Sequence, residues 1–169
     1  MTSTRTLVMN PKQVSQRLNR LAWQVYENCY NEKEIIVAGI SGNGFRLAKR
    51  ITKILGEISP LEVTLCEIHI SKDSPLDGKG TVTPALHDLE GKTVIVVDDV
   101  SNSGRTLMYG VKLFLESPVK SLLTLVLVDR DHTRFPVKTN FVGLSLATTM
   151  QEHITVEVGE NDEDSVYLD

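Results

Sequence analysis

Thr93-Val94-Ile95-Val96-Val97-Asp98-Asp99-Val100-Ser101-Asn102-Ser103-Gly104-Arg105-Thr106 decides the fold. Its first five residues form a continuous β-branched run, the pattern of a strand buried on both faces of a parallel sheet. That strand delivers two adjacent carboxylates to the sheet edge. A turn rich in Ser and Gly leads from them into a helix carrying Leu107, Met108, Val111 and Leu115, which Ser117-Pro118 stops. Backbone N–H groups in such a turn converge on an anion, and the helix dipole favours a phosphate there. Ser103 and Thr106 add hydroxyl donors. Phosphate donors beside two acidic acceptors suit a sugar phosphate with free vicinal hydroxyls.

The same pattern repeats outward. Ile35-Ile36-Val37-Ala38-Gly39 is a second continuous apolar run, followed by a glycine-rich turn to Gly44 and an amphipathic helix with Leu47, Ala48, Ile51, Ile54 and Leu55. Leu122 to Val128 is a third, ending at Asp129. Leu61 to Ile70 alternates as a strand, and 141–144 and 154–158 read as short late strands. Upstream, Asn10-Pro11-x-Gln13 has the composition of a helix start, and Val14, Leu18, Leu21, Val25 and Cys29 form one apolar face. That helix is predicted to end near Tyr30 to Glu32. Residues 71–90 carry little apolar pattern, and a stretch of that length inside a domain reads as a lid or mobile loop. Strand–helix alternation with continuous apolar strands predicts an α/β fold with a mainly parallel central sheet. Ligands then bind beyond the carboxyl ends of the strands, at 39–44, 98–106 and 129–136.

The chain has 169 residues, 41% hydrophobic and 24% charged. That balance predicts one globular domain with a real core, and excludes disordered, collagenous and disulfide-scaffold classes. The start of the chain has no apolar segment of a signal peptide, and no run reaches the length of a membrane helix, so a cytoplasmic protein is expected. Cys29 and Cys66 lie in apolar periodic segments and read as buried small hydrophobes. No His or Cys pair has zinc spacing. The formal charge is −4, but residues 157–169 hold six acids and no base, leaving 18 basic against 16 acidic residues before them. The acidic end, about 159–169, reads as a solvated tail. Gly91-Lys92-Thr93 lacks the first glycine of a P-loop and precedes a strand, and Gly42-Asn43-Gly44 lacks the third glycine of a dinucleotide fingerprint. His132 reads as structural and Trp23 as packing.

Val96 to Thr106 resembles the signature of the type I phosphoribosyltransferases, which bind 5-phosphoribosyl 1-diphosphate (PRPP). Val128-Asp129-Arg130-x-His132-x-x-x-Pro136, followed by Phe141-Val142-Gly143, is similar to a segment of the bifunctional pyrimidine operon attenuator/uracil phosphoribosyltransferases, as is the Gly39 turn leading into Leu47-Ala48-Lys49-Arg50-Ile51. The resemblance spans about residues 10–158. It implies a three-layer α/β fold with a small hood, in a single domain over 1–169.

It also implies roles. Asp98 and Asp99 would be the catalytic acids, holding the ribose hydroxyls directly or through Mg²⁺ and its waters. Ser101, Asn102, Ser103, Gly104, Arg105 and Thr106 would cradle the 5′-phosphate. Ser41, Gly42 and Asn43 would contact the diphosphate through backbone donors. Val128, Asp129 and Arg130 would lie near the base, and 71–90 would be the lid. The cofactor would be Mg²⁺, with no ligand from the protein required, and the assembly a homodimer or larger. The diphosphate loop carries no Lys or Arg, unlike uracil-type relatives, and Lys72 and Lys79 are the lid's only cations. The implied reaction is transfer of ribose 5-phosphate from PRPP to a nucleobase, uracil first and a 6-oxopurine second. Two alternatives stay open: a nucleotide-sensing regulator that binds RNA, and a relative that binds PRPP without chemistry.

Overall fold

The computed structural model describes residues 4–169. Its main sheet has six strands, in the order β4-β3-β2-β5-β6-β7. These are β2 (Glu34–Ile40), β3 (Glu62–His69), β4 (Thr81–Thr83), β5 (Thr93–Ser101), β6 (Ser121–Asp129) and β7 (Phe141–Ser145). All pairs are parallel except β3 with the short edge strand β4. The expected α/β architecture is therefore present, with the strand order that puts the carboxyl ends of β2 and β5 side by side.

The continuous apolar strands are continuous because both faces are covered. Ile35, Val37, Ile95, Val97, Leu125 and Leu127 join a core with α1 (Pro11–Cys29) and α2 (Asn43–Ile58). Ile36, Ala38, Val94, Val96 and Val126 point the other way, into a second core with Leu107 of α3 (Arg105–Lys112) and Phe114. Helix α1 begins with a full capping box: Gln13 N donates to Asn10 Oδ1 and Asn10 N to Gln13 Oε1, each at 2.9 Å. Cys29 and Cys66 are free and buried, and burial pushes their thiols up to about 11 and about 12. Among the described residues, no helix is long and apolar enough to cross a membrane.

The hood is a separate antiparallel sheet of three strands, ordered β1-β9-β8. Its strands are β1 (Thr6–Met9), β8 (Ile154–Glu157) and β9 (Ser165–Leu168). Here the sequence reading needs correction. The stretch 159–169 is not a solvated tail. It contains a 3₁₀ turn (Glu160–Asp162) and the central strand of the hood. Val166 is fully buried, and Asp164 is buried against Arg50 of α2, whose guanidinium donates to both Asp164 oxygens, to Asp162 and to the Gly159 carbonyl. Carboxylates that look like a charge run are here the anchor of the hood on α2. Helix α3 is also shorter than the apolar spacing suggests, ending at Lys112 with Leu113 to Ser117 in turns.

Candidate active site

Strand β5 carries Asp98 and Asp99 to the carboxyl edge of the sheet. Asp98 is 2% exposed. Each carboxylate accepts the next backbone N–H: Asp99 N donates to Asp98 Oδ1 at 2.9 Å, and Val100 N to Asp99 Oδ1 at 2.8 Å. The first turn of α2 lies directly on this pair. A Cβ at Gly44 would stand 3.0 Å from Asp98 Oδ1 and 2.9 Å from the Val97 carbonyl, so the helix approaches this closely because residue 44 has none. Burial raises the Asp98 carboxyl from 3.8 to about 7, with a further push from the Asp99 charge. The opposing influence is Lys72, whose Nζ lies 3.5 Å from Asp98 Oδ1.

Next to these acids is a cavity of about 180 Å³ lined by Asp98, Val100 and the run from Ser101 to Leu107. The turn folds this way because Gly104 takes φ +83, the left-handed region that a side chain disfavours, as the N-cap of α3. Arg105 N donates to Ser103 Oγ at 3.3 Å, and the Ser103 carbonyl accepts from Arg134 N and Phe135 N. The segment after β6 thus braces the outside of the turn. The six residues expected at the 5′-phosphate are brought together around one polar hollow at the start of α3.

At the end of β2, Ser41 is not a free donor. Its N–H donates to the Ile68 carbonyl and its hydroxyl to Glu67 Oε1, extending the pairing with β3. The anion donors left in that loop come from the turn at Gly42 and the first N–H groups of α2, which have no acceptor within the helix. The Asn43 side chain turns aside. Its Nδ2 donates to Asp99 Oδ2 at 3.1 Å and to the Val156 carbonyl of the hood at 2.7 Å. One amide therefore joins the loop after β2, the acidic pair and β8.

The three residues expected near the base are engaged within the protein. Val128 is fully buried in the core. Asp129 accepts from Asp131 N and from the Thr139 hydroxyl. The Arg130 guanidinium donates to Asn102, Thr148, Thr149 and Glu152. His132 holds the Thr148 carbonyl at 2.7 Å, in line with a structural role.

Within 71–90, Thr81–Thr83 is strand β4 and the remainder is irregular. Its first part lies over the site. Arg105 Nη2 donates to the Lys72 carbonyl at 2.8 Å, and a cavity of about 370 Å³ opens between Ser41 and residues 69–81. Lys72, expected as one of two cations of the lid, is brought against Asp98. The signal was available: β3 also ends at this edge of the sheet, so its carboxyl-end loop belongs with the other three.

The parallel sheet, the hood, the acidic pair and the polar hollow at the start of α3 are together the architecture of a phosphoribosyltransferase. The Phosphoribosyl transferase domain family matches residues 8–162, and the chain belongs to that family. Among its relatives are proteins named Bifunctional protein PyrR. That of Clostridium kluyveri is 29% identical over 164 residues, covering 94% of this chain and 93% of the relative. That of Enterococcus faecalis is 31% identical over 163 residues, covering 92% and 90%. Solved structures agree on the fold. A hypoxanthine phosphoribosyltransferase of Trypanosoma cruzi aligns with a TM-score of 0.72 at 14% identity, over 96% of this chain and 95% of its own. A hypoxanthine-guanine phosphoribosyltransferase of Bacillus anthracis aligns with a TM-score of 0.68 at 24% identity, over 83% and 82%.

Proposed function

We propose that this phosphoribosyltransferase moves ribose 5-phosphate from PRPP to a nucleobase, uracil first, with release of diphosphate. The observation that carries the reading is the adjacency of the Asp98/Asp99 pair to the cradle from Ser101 to Thr106. A pentose 5-phosphate offers an anion to the cradle and two hydroxyls to the carboxylates. A base nitrogen attacks C1 as the bond from C1 to the diphosphate oxygen breaks. The transition state is oxocarbenium-like, as in other glycosyl transfers.

The donor set fits Mg²⁺. Asp98 and Asp99 present carboxylate oxygens at a point where the nearby positive charge is the Lys72 ammonium, and a hard cation takes such oxygens with most of its waters retained. The acids would hold it through those waters or directly. When bound, Mg²⁺ neutralises charge on the departing diphosphate. The chain's own contribution is orientation: carboxylates accept from the ribose hydroxyls, cradle N–H groups fix the phosphate, and residues 71–80 cover the reacting carbon against water.

A second reading, PRPP or nucleotide binding with little turnover, is favoured by the neutral diphosphate loop and by the engaged Ser41 N–H. Diphosphate release from Mg-PRPP, measured across uracil, hypoxanthine, guanine, xanthine, adenine and orotate, separates the two. Turnover with uracil, lost in an Asp98→Asn/Asp99→Asn double variant, is expected. Turnover with a 6-oxopurine alone would move the substrate to the purine class. Binding of Mg-PRPP with silence for every base would leave the second reading standing. A titration with RNA at rising salt then tests the regulator form of it, since phosphate contacts by Lys and Arg weaken steeply with salt.

A further inference from the structure

Arg130 is 7% exposed and lies just past the end of β6, between the turn that follows β5 and the loop that follows β7. On one side is the phosphate cradle. Arg130 N donates to the Ser101 carbonyl at 3.0 Å, and Nη1 donates to Asn102 Oδ1 at 2.9 Å. On the other side is the irregular loop 146–152, between β7 and the hood. Nε donates to Thr148 Oγ1 at 2.8 Å, and Nη2 to the carbonyls of Thr149 and Glu152 at 3.1 and 2.6 Å. Among the described residues, every hydrogen bond from this loop to the remainder of the protein ends on Asp129, Arg130 or His132. The loop is hung from one short segment, and Arg130 supplies most of the hooks.

The bond to Asn102 sets the direction of that amide. Because Oδ1 accepts from a cation, the other end of the amide is the Nδ2 donor, and among the described residues it has no partner. Asn102 also lines the cradle cavity. An anion taking the Nδ2 hydrogen fixes the exposed Asn102 side chain and so holds its Oδ1 against Arg130. A buried guanidinium with four acceptors on two segments has little freedom to give up one bond without disturbing the others.

We propose that Arg130 is a positioning residue, and that through Asn102 it makes the order of loop 146–152 depend on whether the phosphate cradle is filled. This rests on the reading of the cradle as a 5′-phosphate site. It assigns Arg130 a role distinct from base contact: filling the phosphate end of the site fixes a loop beside the segment 129–132. The phosphate end and that loop then respond as one unit.

Hydrogen exchange of the 144–153 peptides tests this, with ribose 5-phosphate as the probe and its affinity measured by calorimetry. In the unaltered protein, saturating ribose 5-phosphate is expected to slow exchange in 146–152 by about tenfold, the scale of one net hydrogen bond. Asn102→Ala removes the exposed partner and leaves Arg130 its other acceptors. It is expected to bind ribose 5-phosphate more weakly and to show no slowing at saturation. Asn102→Asp keeps the acceptor for Arg130 and replaces the donor with a charge. It is expected to show a slowed loop without ligand and ribose 5-phosphate binding weakened by more than about tenfold. A purely structural Arg130 would leave exchange independent of ligand. Binding with an unchanged loop, or equal slowing in Asn102→Ala, overturns the proposal while the cradle reading stands. A folded protein that does not bind ribose 5-phosphate overturns both.

Discussion

The Lys72 ammonium faces the Asp98 carboxylate across 3.5 Å, on a group that burial has pushed to about 7. The pair has a pH signature. Unfolded, the Asp98 carboxyl returns to its ordinary 3.8. Between that value and about 7, the folded state holds a proton that the unfolded state has released. Stability therefore falls as pH rises through this window, and is lowest, as far as this group goes, above it. Asp98→Asn removes the effect. Its thermal midpoint is expected to exceed that of the parent at pH 8 and to lie close to it at pH 4. Lys72→Met has a different profile. At pH 5 Asp98 is neutral and loses nothing, whereas at pH 8 the pair, buried at Asp98 and half-exposed at Lys72, is worth about 1 kcal/mol, and the variant melts lower. Thermal melts of the three proteins at pH 4, 5 and 8 check both signs.

Asn43 is the second link in the acidic pair, and its amide matters for its two hydrogens. Asn43→Asp removes both donated bonds and sets a new carboxylate against Asp99, at a contact now 3.1 Å long. Affinity for Mg-PRPP is expected to fall by about tenfold to a hundredfold, and stability by about 2 kcal/mol, the cost of unpaired polar groups in a part-buried site. Asn43→Ala loses the bonds without the repulsion and should bind better than Asn43→Asp. Calorimetry with Mg-PRPP on the two variants orders them. An Asn43→Asp protein that binds as tightly as the parent would remove the side chain from the site's electrostatics.

The Asp164–Arg50 pair makes the acidic end of the chain essential to the hood. Asp164→Ala leaves Arg50 with Asp162 and the Gly159 carbonyl, but strips both bonds from a guanidinium that is mostly buried. Breaking a buried pair costs about 3–5 kcal/mol, and the remaining partners place this one near the lower figure. Urea unfolding should show the loss, with Glu163→Ala, on an exposed neighbour, staying within about 0.5 kcal/mol of the parent.

What could be read from the sequence was local. β2, β5 and β6 announce themselves because each is covered on both faces, so Ile35 to Gly39, Val94 to Val97 and Leu125 to Val128 run without a polar residue. That Ser101 to Thr106 gather around one hollow was legible because the six residues are consecutive. The hood was not. Thr6 to Met9 is short and half exposed, and Ser165 to Leu168 sits at the end of a charge run, so β1 is a strand only because it pairs with β9 across the length of the chain, and β9 because it lies between β1 and β8. The couplings within the site share this property. Asn43 with Asp99, Lys72 with Asp98 and Asn102 with Arg130 each join residues that lie on different loops, and no spacing in the sequence brings them together. Spacing could nominate Arg130 as a residue at the end of β6. It could not say that its guanidinium turns inward.

Gly104 separates the two costs of altering the cradle. Its φ of +83 would strain any other residue, and a Cβ there would stand 2.7 Å from Val137 Cγ1. The strain is worth about 1 kcal/mol in the left-handed region, and the contact costs more unless Val137 gives way. Gly104→Ala is expected to lose about 1–3 kcal/mol of stability together with most of its affinity for ribose 5-phosphate. Val137→Ala removes the clashing methyl at the price of a small cavity. Combined in one protein, the two changes should be less destabilising than their sum, because only the contact is shared between them. Affinity should stay low in the double variant, since the backbone strain persists and the donors remain misaligned. Recovery of ribose 5-phosphate binding in the double variant would mean that Val137, rather than the conformation of residue 104, sets the shape of the cradle.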